Sequence, residues 1–141
     1  MRRMKPEAEL QRAIVTATAS LGYVVMESGK SRSKVACRAC GAKTYATGWQ
    51  GNTPGLPDLY IHHPDWFGMA VGLELKGPKT AVTPVQQSLA DANITTIVRT
   101  VAEALHAVRR AEATLGRQSR VDRIEQILQQ MEVWNGINQR T

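Results

Sequence analysis

Two short segments near the middle of the chain carry side chains that could bind a hard metal ion. Asp58 opens one segment of strand-forming residues, and Glu74 and Lys76 lie in another. Alternation along a strand places Glu74 and Lys76 on one face and Leu75 on the other. If the two strands are neighbours, the carboxylates of Asp58 and Glu74 approach within reach of one ion. Two carboxylates repel each other unless a cation compensates their charge, and oxygen ligands suit Mg²⁺ or Mn²⁺ rather than zinc.

A third carboxylate is indicated by helical spacing. Glu7 lies three residues before Leu10 and seven before Ile14, so it falls on the apolar stripe of a predicted helix. A glutamate on a buried stripe needs a partner, which a metal pocket would supply. Alternatively, Glu7 lies in an exposed first turn, where an acid stabilises the helix dipole.

The elements that position these residues follow from periodicity and from turn signals. We predict helices over 6–21, 84–92, 101–115 and 121–134, and strands over 23–26, 58–61, 69–76 and 94–100. Residues 28–56 form an irregular insert in which 35–36 and 44–46 could pair as a small hairpin. The order predicts an α/β fold: a mixed sheet of about four strands flanked by helices, with a C-terminal helix.

Composition and charge fit one domain that has a basic first third. The 141 residues are 43% hydrophobic, and 18 basic against 12 acidic side chains give a net charge of +6. No apolar run is long enough to span a bilayer and the first residues lack a secretory signal, so we expect a cytosolic protein without a membrane partner. Residues 30–43 contain five basic side chains and no acidic one. The basic residues are Lys30, Arg32, Lys34, Arg38 and Lys43. A phosphate-binding surface and a solvated basic loop both explain this cluster.

The two cysteines are three positions apart and cannot form a disulfide framework. The run from Cys37 to Gly41 resembles half of a zinc ribbon, for which His62 and His63 are possible completing ligands. Two reduced thiols in a basic loop are the simpler interpretation, and we favour it. Tyr45 and Trp49 beside the basic cluster could stack on unpaired bases or anchor the loop.

Taken together, the motifs resemble the virus-type replication-repair nuclease (VRR-NUC) domain, a branch of the PD-(D/E)xK nuclease superfamily. The resemblance covers roughly residues 6–108. It consists of Glu7 with a following Leu-Gln, Gly-x-Pro-Asp at 55–58, Glu-x-Lys-Gly at 74–77, Thr-Pro-x-Gln at 83–86 and a β-branched strand ending near 98–99. The chain differs from the family in two places. Asn93 ends the predicted helix about one turn earlier than is usual in the family, and the insert at 28–54 is longer.

The resemblance implies a restriction-endonuclease-like core and a metal-dependent endonuclease. Asp58, Glu74 and the Leu75 carbonyl would bind Mg²⁺ or Mn²⁺, with Glu7 as a possible further ligand. Lys76 would orient or deprotonate the attacking water. Gln86, and Gln11 less directly, would hold water or the scissile phosphate. We divide the chain into a VRR-NUC-like domain over 1–115, with its insert at 28–56, and a helical extension over 116–141.

The chain resembles small members of this family that are homodimers and resolve Holliday junctions. The resemblance therefore implies a homodimeric resolvase in a bacterial or phage-infected cell. The helix at 121–134 could supply the dimer contact or merely cover its own domain. The alternatives to branched-DNA hydrolysis are a restriction-type or flap-processing nuclease, a non-catalytic DNA-binding module, and a zinc-ribbon adaptor that recruits a partner protein.

Overall fold

The computed structural model describes residues 5–28, 34–36, 39–41, 43–45 and 55–139. The helices described are α1 (Pro6–Ser20), α2 (Pro84–Asp91), α3 (Val101–Leu115) and α4 (Gln118–Asn138), and a 3₁₀ turn spans Pro64–Trp66. The strands are β1 (Val24–Glu27), β2 (Lys34–Ala36), β3 (Lys43–Tyr45), β4 (Leu59–His62), β5 (Ala70–Leu75) and β6 (Thr95–Val98). Each predicted element is present, with its ends shifted by at most four residues, the largest shift being at the end of α4.

The main sheet has four strands in the order β1-β4-β5-β6. β4 is antiparallel to both β1 and β5, whereas β5 and β6 are parallel because α2 connects them. The predicted α/β class with a mixed four-stranded sheet is therefore confirmed. Within the insert, β2 and β3 pair separately as an antiparallel hairpin, one residue displaced from the prediction.

The core lies between one face of the sheet and helices α1 and α3. Alternate residues of β4 and β5 are fully buried there, and Ile14 of α1 packs against them. Thr18, which follows Ile14 by one turn, is also buried, and its hydroxyl donates to the Ile14 carbonyl at 2.8 Å. This bond satisfies a polar group in an apolar layer.

Helix α2 begins at a capping box and is short. The Thr83 side chain accepts the Gln86 N–H at 3.3 Å, and the Gln86 side chain accepts the Thr83 N–H at 3.0 Å. Asn93 ends the helix in the left-handed region, at φ 57°, and the Ile94 N–H returns to the Leu89 carbonyl. The early Asn93 thus gives a regular helix ending.

Helix α4 is divided into a buried first half and an exposed second half. Val121, Ile124 and Leu128 are buried and pack against α3, so this half covers its own domain. Beyond them, Trp134 is 64% exposed and Val133 is equally open to solvent. No helix in the described residues is long and apolar enough to cross a membrane.

Candidate active site

The pairing of β4 with β5 brings Asp58 next to Glu74. Leu59 pairs with Leu73, so the two acids are the next residues outward on the two strands. The Leu75 N–H donates to Asp58 Oδ2 at 2.9 Å, which fixes the Asp58 carboxylate against the end of β5. The sequence analysis made the approach of the two acids conditional on these strands being neighbours, and the pairing of β4 with β5 meets that condition.

Glu74 and Lys76 form an ion pair that is almost fully buried. Lys76 Nζ lies 3.2 Å from Glu74 Oε1, and the side chains are 9% and 2% exposed, respectively. The same Glu74 oxygen accepts a hydrogen bond from Gln86 Nε2. The Lys76 N–H bonds the Val98 carbonyl at 3.0 Å and so fixes the lysine backbone to β6. Strand alternation, as predicted, places the acid and the lysine on one face.

Glu7 reaches the same region from the first turn of α1. Its Oε1 accepts the Gly77 N–H at 3.2 Å, a contact that joins the start of the helix to the loop after β5. Glu7 is half-buried rather than displayed on an open first turn. Gln11 also lines this region, and its amide donates to Glu27 Oε1 at 2.7 Å.

These side chains line a cleft of about 240 Å³, which we call the active-site cleft. Its lining residues come from the start of α1 and from the adjacent ends of β4 and β5: Lys5, Glu7, Ala8, Gln11, Asp58, Glu74, Leu75 and Lys76. Three carboxylates and two ammonium groups therefore surround one small space. An excess of negative charge at an opening of this size favours a cation.

Glycines bring the backbone close enough to build the cleft. Gly55 has φ 85°, and a Cβ there would meet Val85 of α2 at 2.7 Å. A Cβ at Gly72 would meet the Pro57 ring at 2.8 Å. The Gly-x-Pro-Asp segment can therefore lie flat against α2 and β5, which places Asp58 at the strand end.

Arg99 is a contributor to this region for which the sequence analysis assigned no role. Its guanidinium donates to the carbonyls of Gly77 and Thr80, the latter at 3.0 Å. The Arg99 N–H in turn donates to the Glu103 carboxylate at the start of α3. Arg99 thus stabilises the loop whose Gly77 N–H binds Glu7. The sequence signal for this role was an arginine directly after a predicted buried strand.

The donors at the cleft fit a hard divalent cation. Asp58 and Glu74 offer carboxylate oxygens, and Mg²⁺ is commonly held by one or two carboxylates while it keeps several waters. Within the described ranges no three His, Cys, Asp or Glu side chains are grouped closely enough to hold an ion. Glu7 as an additional ligand therefore stays a prediction.

The predicted DNA-binding and zinc residues lie largely outside the described residues. Lys30, Arg32, Arg38 and Cys37 fall there, as do the side chains of Lys34 and Lys43. Cys40 is an exposed free thiol. His63 Nδ1 accepts the Asp65 N–H at 3.1 Å and so caps the 3₁₀ turn.

A second buried polar cluster, which the sequence analysis missed, lies where α3 meets α4. Glu112 accepts hydrogen bonds from the Tyr23 hydroxyl at 2.6 Å and from Arg120 Nε at 2.7 Å. Arg120 also contacts Asp65 at 3.0 Å. The signal was present, because Glu112 continues the buried stripe of Leu105 on α3.

Comparisons of this chain with protein-family models, with curated proteins and with solved structures find no significant match. The function of the chain is therefore inferred from the geometry of the active-site cleft and from the motifs that build it.

Proposed function

We propose that this chain is a metal-dependent DNA endonuclease of the VRR-NUC type, with a restriction-endonuclease-like core. It hydrolyses phosphodiester bonds in branched DNA, with Holliday junctions as the preferred substrate. The observation that supports this most directly is the Lys76–Glu74 contact of 3.2 Å in a cleft that also contains Asp58. A lysine beside paired carboxylates suits phosphodiester hydrolysis, in which water attacks and negative charge develops on the phosphate.

Asp58 and Glu74 are the residues that would hold Mg²⁺ or Mn²⁺, with the Leu75 carbonyl as a further ligand and Glu7 as a possible one. A divalent cation at this position would lower the pKa of water and stabilise charge on the phosphodiester oxygens. The Lys76 ammonium orients the attacking water and offsets charge in the transition state. Gln86 holds the Glu74 carboxylate in position through its amide, and its contact with water or phosphate stays a prediction.

The overall charge supports a nucleic-acid substrate. The net charge of +6 is concentrated in the first third of the sequence, in and around the insert. Such a surplus attracts the phosphate backbone irrespective of base sequence. The basic residues of 30–43 would grip backbone near the junction, and Tyr45 and Trp49 would stack on unpaired bases.

A homodimer is part of this proposal, because paired cuts across a four-way junction need two active sites and one chain carries one. The exposed second half of α4 offers a contact surface, with Val133, Trp134 and Ile137 each more than half exposed. Light scattering on the purified protein measures the oligomeric state. Trp134→Asp should convert a dimer into a monomer if this surface is the contact.

The decisive experiment compares cleavage of a synthetic four-way junction in Mg²⁺, in Mn²⁺ and in EDTA. Asp58→Asn and Lys76→Ala should each slow cleavage at least about a hundredfold, because each removes a charge at the reacting phosphate. Junction binding in EDTA should remain. Asp91→Asn is the matched control, since Asp91 is an exposed acid on α2. Wild-type rates in either cleft variant would mean that the site is misassigned.

Substrate choice separates the remaining alternatives. A restriction-type enzyme cuts linear duplex, and a flap-processing enzyme prefers a single-stranded branch. A non-catalytic binding module leaves every substrate intact in both metals. Zinc analysis of the purified protein tests the adaptor alternative and the role of Cys37 and Cys40, because a structural zinc site survives mild purification.

A further inference from the structure

A second groove, of about 400 Å³, adjoins the active-site cleft. One wall is the start of α1, and the other is the loop that follows β5. The lining residues are Lys5, Pro6, Glu7, Gly77, Pro78, Lys79 and Thr80. Because Lys5 and Glu7 also line the active-site cleft, the two spaces share a border. We call this second space the lysine groove.

The loop wall of the lysine groove is rigidly held. Arg99 donates to the carbonyls of Gly77 and Thr80, and the Thr80 N–H returns to the Gly77 carbonyl at 3.2 Å. A guanidinium presents its donors in a fixed fork, so both carbonyls are tied to the end of β6 at once. Lys79 lies between these two anchored positions and is therefore presented from a fixed backbone.

The charges that line the lysine groove favour an anion at its open side. Lys5 and Lys79 are both exposed. Glu7 is the acid among the lining residues, and its Oε1 accepts the Gly77 N–H. The Glu103 carboxylate accepts the Arg99 N–H.

We propose that the lysine groove binds the DNA backbone phosphate that neighbours the one in the active-site cleft. This inference rests on the proposed nuclease function and adds a binding site to it. Successive phosphates of one strand are about 3.4 Å apart along the helix axis, so a strand in the cleft continues into an adjoining groove. Lys5, at the border, contacts the strand where it passes from one space to the other, and Lys79 contacts the next phosphate.

The test measures binding of a synthetic four-way junction in EDTA, so that no DNA is cut. Lys5→Gln and Lys79→Gln are compared with Arg123→Gln, which removes the same charge from an exposed position of α4. Each lysine variant should raise the Kd about threefold to tenfold and reduce the slope of log Kd against log salt by about 1. Arg123→Gln should leave both unchanged.

A second measurement shows whether the contact is local. Single neutral methylphosphonates are placed at successive positions along one strand of the junction. At one position the neutral group should weaken binding of the wild-type protein but not of Lys79→Gln, because the contact is already lost. Absence of such a position, or wild-type affinity in both lysine variants, overturns the groove proposal.

Cleavage assays in Mg²⁺ on the same proteins distinguish a failure of the groove proposal from a failure of the nuclease proposal. A wild-type protein that shows the lysine dependence of binding but cuts no DNA refutes the nuclease and leaves the groove as a phosphate site. A protein that cuts DNA but binds it independently of both lysines refutes the groove alone. Where both hold, Lys79→Gln, at a residue outside the lining of the active-site cleft, should raise KM more strongly than it lowers kcat.

Discussion

The described part of the chain includes two buried glutamates, each paired with a cation, in very different surroundings. Glu74 and Glu112 are each about 1% exposed. Glu74 pairs with Lys76, and Glu112 pairs with Arg120. Burial of a charged side chain is costly in both places, so each needs a reason to persist. Burial and pairing alone therefore do not distinguish an active-site acid from a structural one.

The space around the two acids is what differs. A Cβ at Gly116 would lie 1.4 Å from Glu112 Oε2, so no ligand can enter there. Tyr23 and the Arg117 N–H complete the closed network. Although burial raises the pKa of Glu112, hydrogen bonds from Arg120 and Tyr23 outweigh it and hold that pKa below its ordinary value. Glu74, in contrast, lines an open cleft. A closed network stabilises the fold, whereas an open one can do chemistry.

The largest expected effect is on catalysis. We call the surroundings of Glu74 the open site and those of Glu112 the closed site. Under the proposed function, Glu74→Gln should reduce the cleavage rate about a thousandfold, because it removes the proposed metal ligand and the partner of Lys76. Circular dichroism at 25 °C should still show a folded protein. Glu112→Gln, the matched variant at the closed site, should retain the cleavage rate per folded molecule. Equal losses of cleavage rate in the two variants would contradict the distinction between an open and a closed site.

The largest expected loss of stability is at the closed site. Glu112→Ala should lower the free energy of unfolding by about 3 kcal/mol, because Arg120 loses its buried partner. Urea denaturation measures this change. Glu125→Ala is the control, since Glu125 also pairs with an arginine, Arg109, but in a half-exposed position. Its cost should stay below about 1 kcal/mol.

A smaller loss of stability should follow from adding one methyl group beside Glu112. Gly116→Ala should lower the free energy of unfolding by about 1–3 kcal/mol, because the Glu112 carboxylate must move from its hydrogen bonds. Gly136→Ala in α4 provides the contrast, since nothing lies within 4 Å of its added Cβ. That variant should raise stability by about 0.4–1 kcal/mol. A tolerated Gly116→Ala would mean that the network is looser than described.

The smallest effect concerns pH. The pKa of Glu112 is lowered from an ordinary value of 4.5, so its contribution to stability is complete above that pH. It is lost as the pH falls through the lower, folded-state pKa. The difference in unfolding free energy between wild type and Glu112→Gln should therefore shrink below pH 4.5. Denaturation series at several pH values measure this difference, and a constant difference would contradict the network.

Local signals predicted the elements and most of the open site. Strand alternation placed Glu74 with Lys76. Helical spacing indicated that Glu7 needs a partner, and the structure supplies the Gly77 N–H, whereas the metal named as that partner stays a prediction. The sequence also indicated that the segments of β2 and β3 could pair as a small hairpin, and the structure shows this pairing.

Contacts between distant parts of the chain could not be predicted in this way. The Tyr23–Glu112 bond spans 89 positions, and the Arg99–Gly77 bond spans 22. Nothing in the neighbouring residues specifies such partners, because they depend on how helices pack across the sheet. The same stripe argument used for Glu7 would have identified Glu112 as buried, but not its partners.

The Glu7–Gly77 bond has a consequence for when the active-site cleft is assembled. It joins positions 70 residues apart, and Lys76 also depends on Val98 of β6. Contacts of such long range require the chain to close long loops first. A chain synthesised only as far as β5 therefore lacks the assembled cleft, and under the proposed nuclease function it would not yet cut DNA.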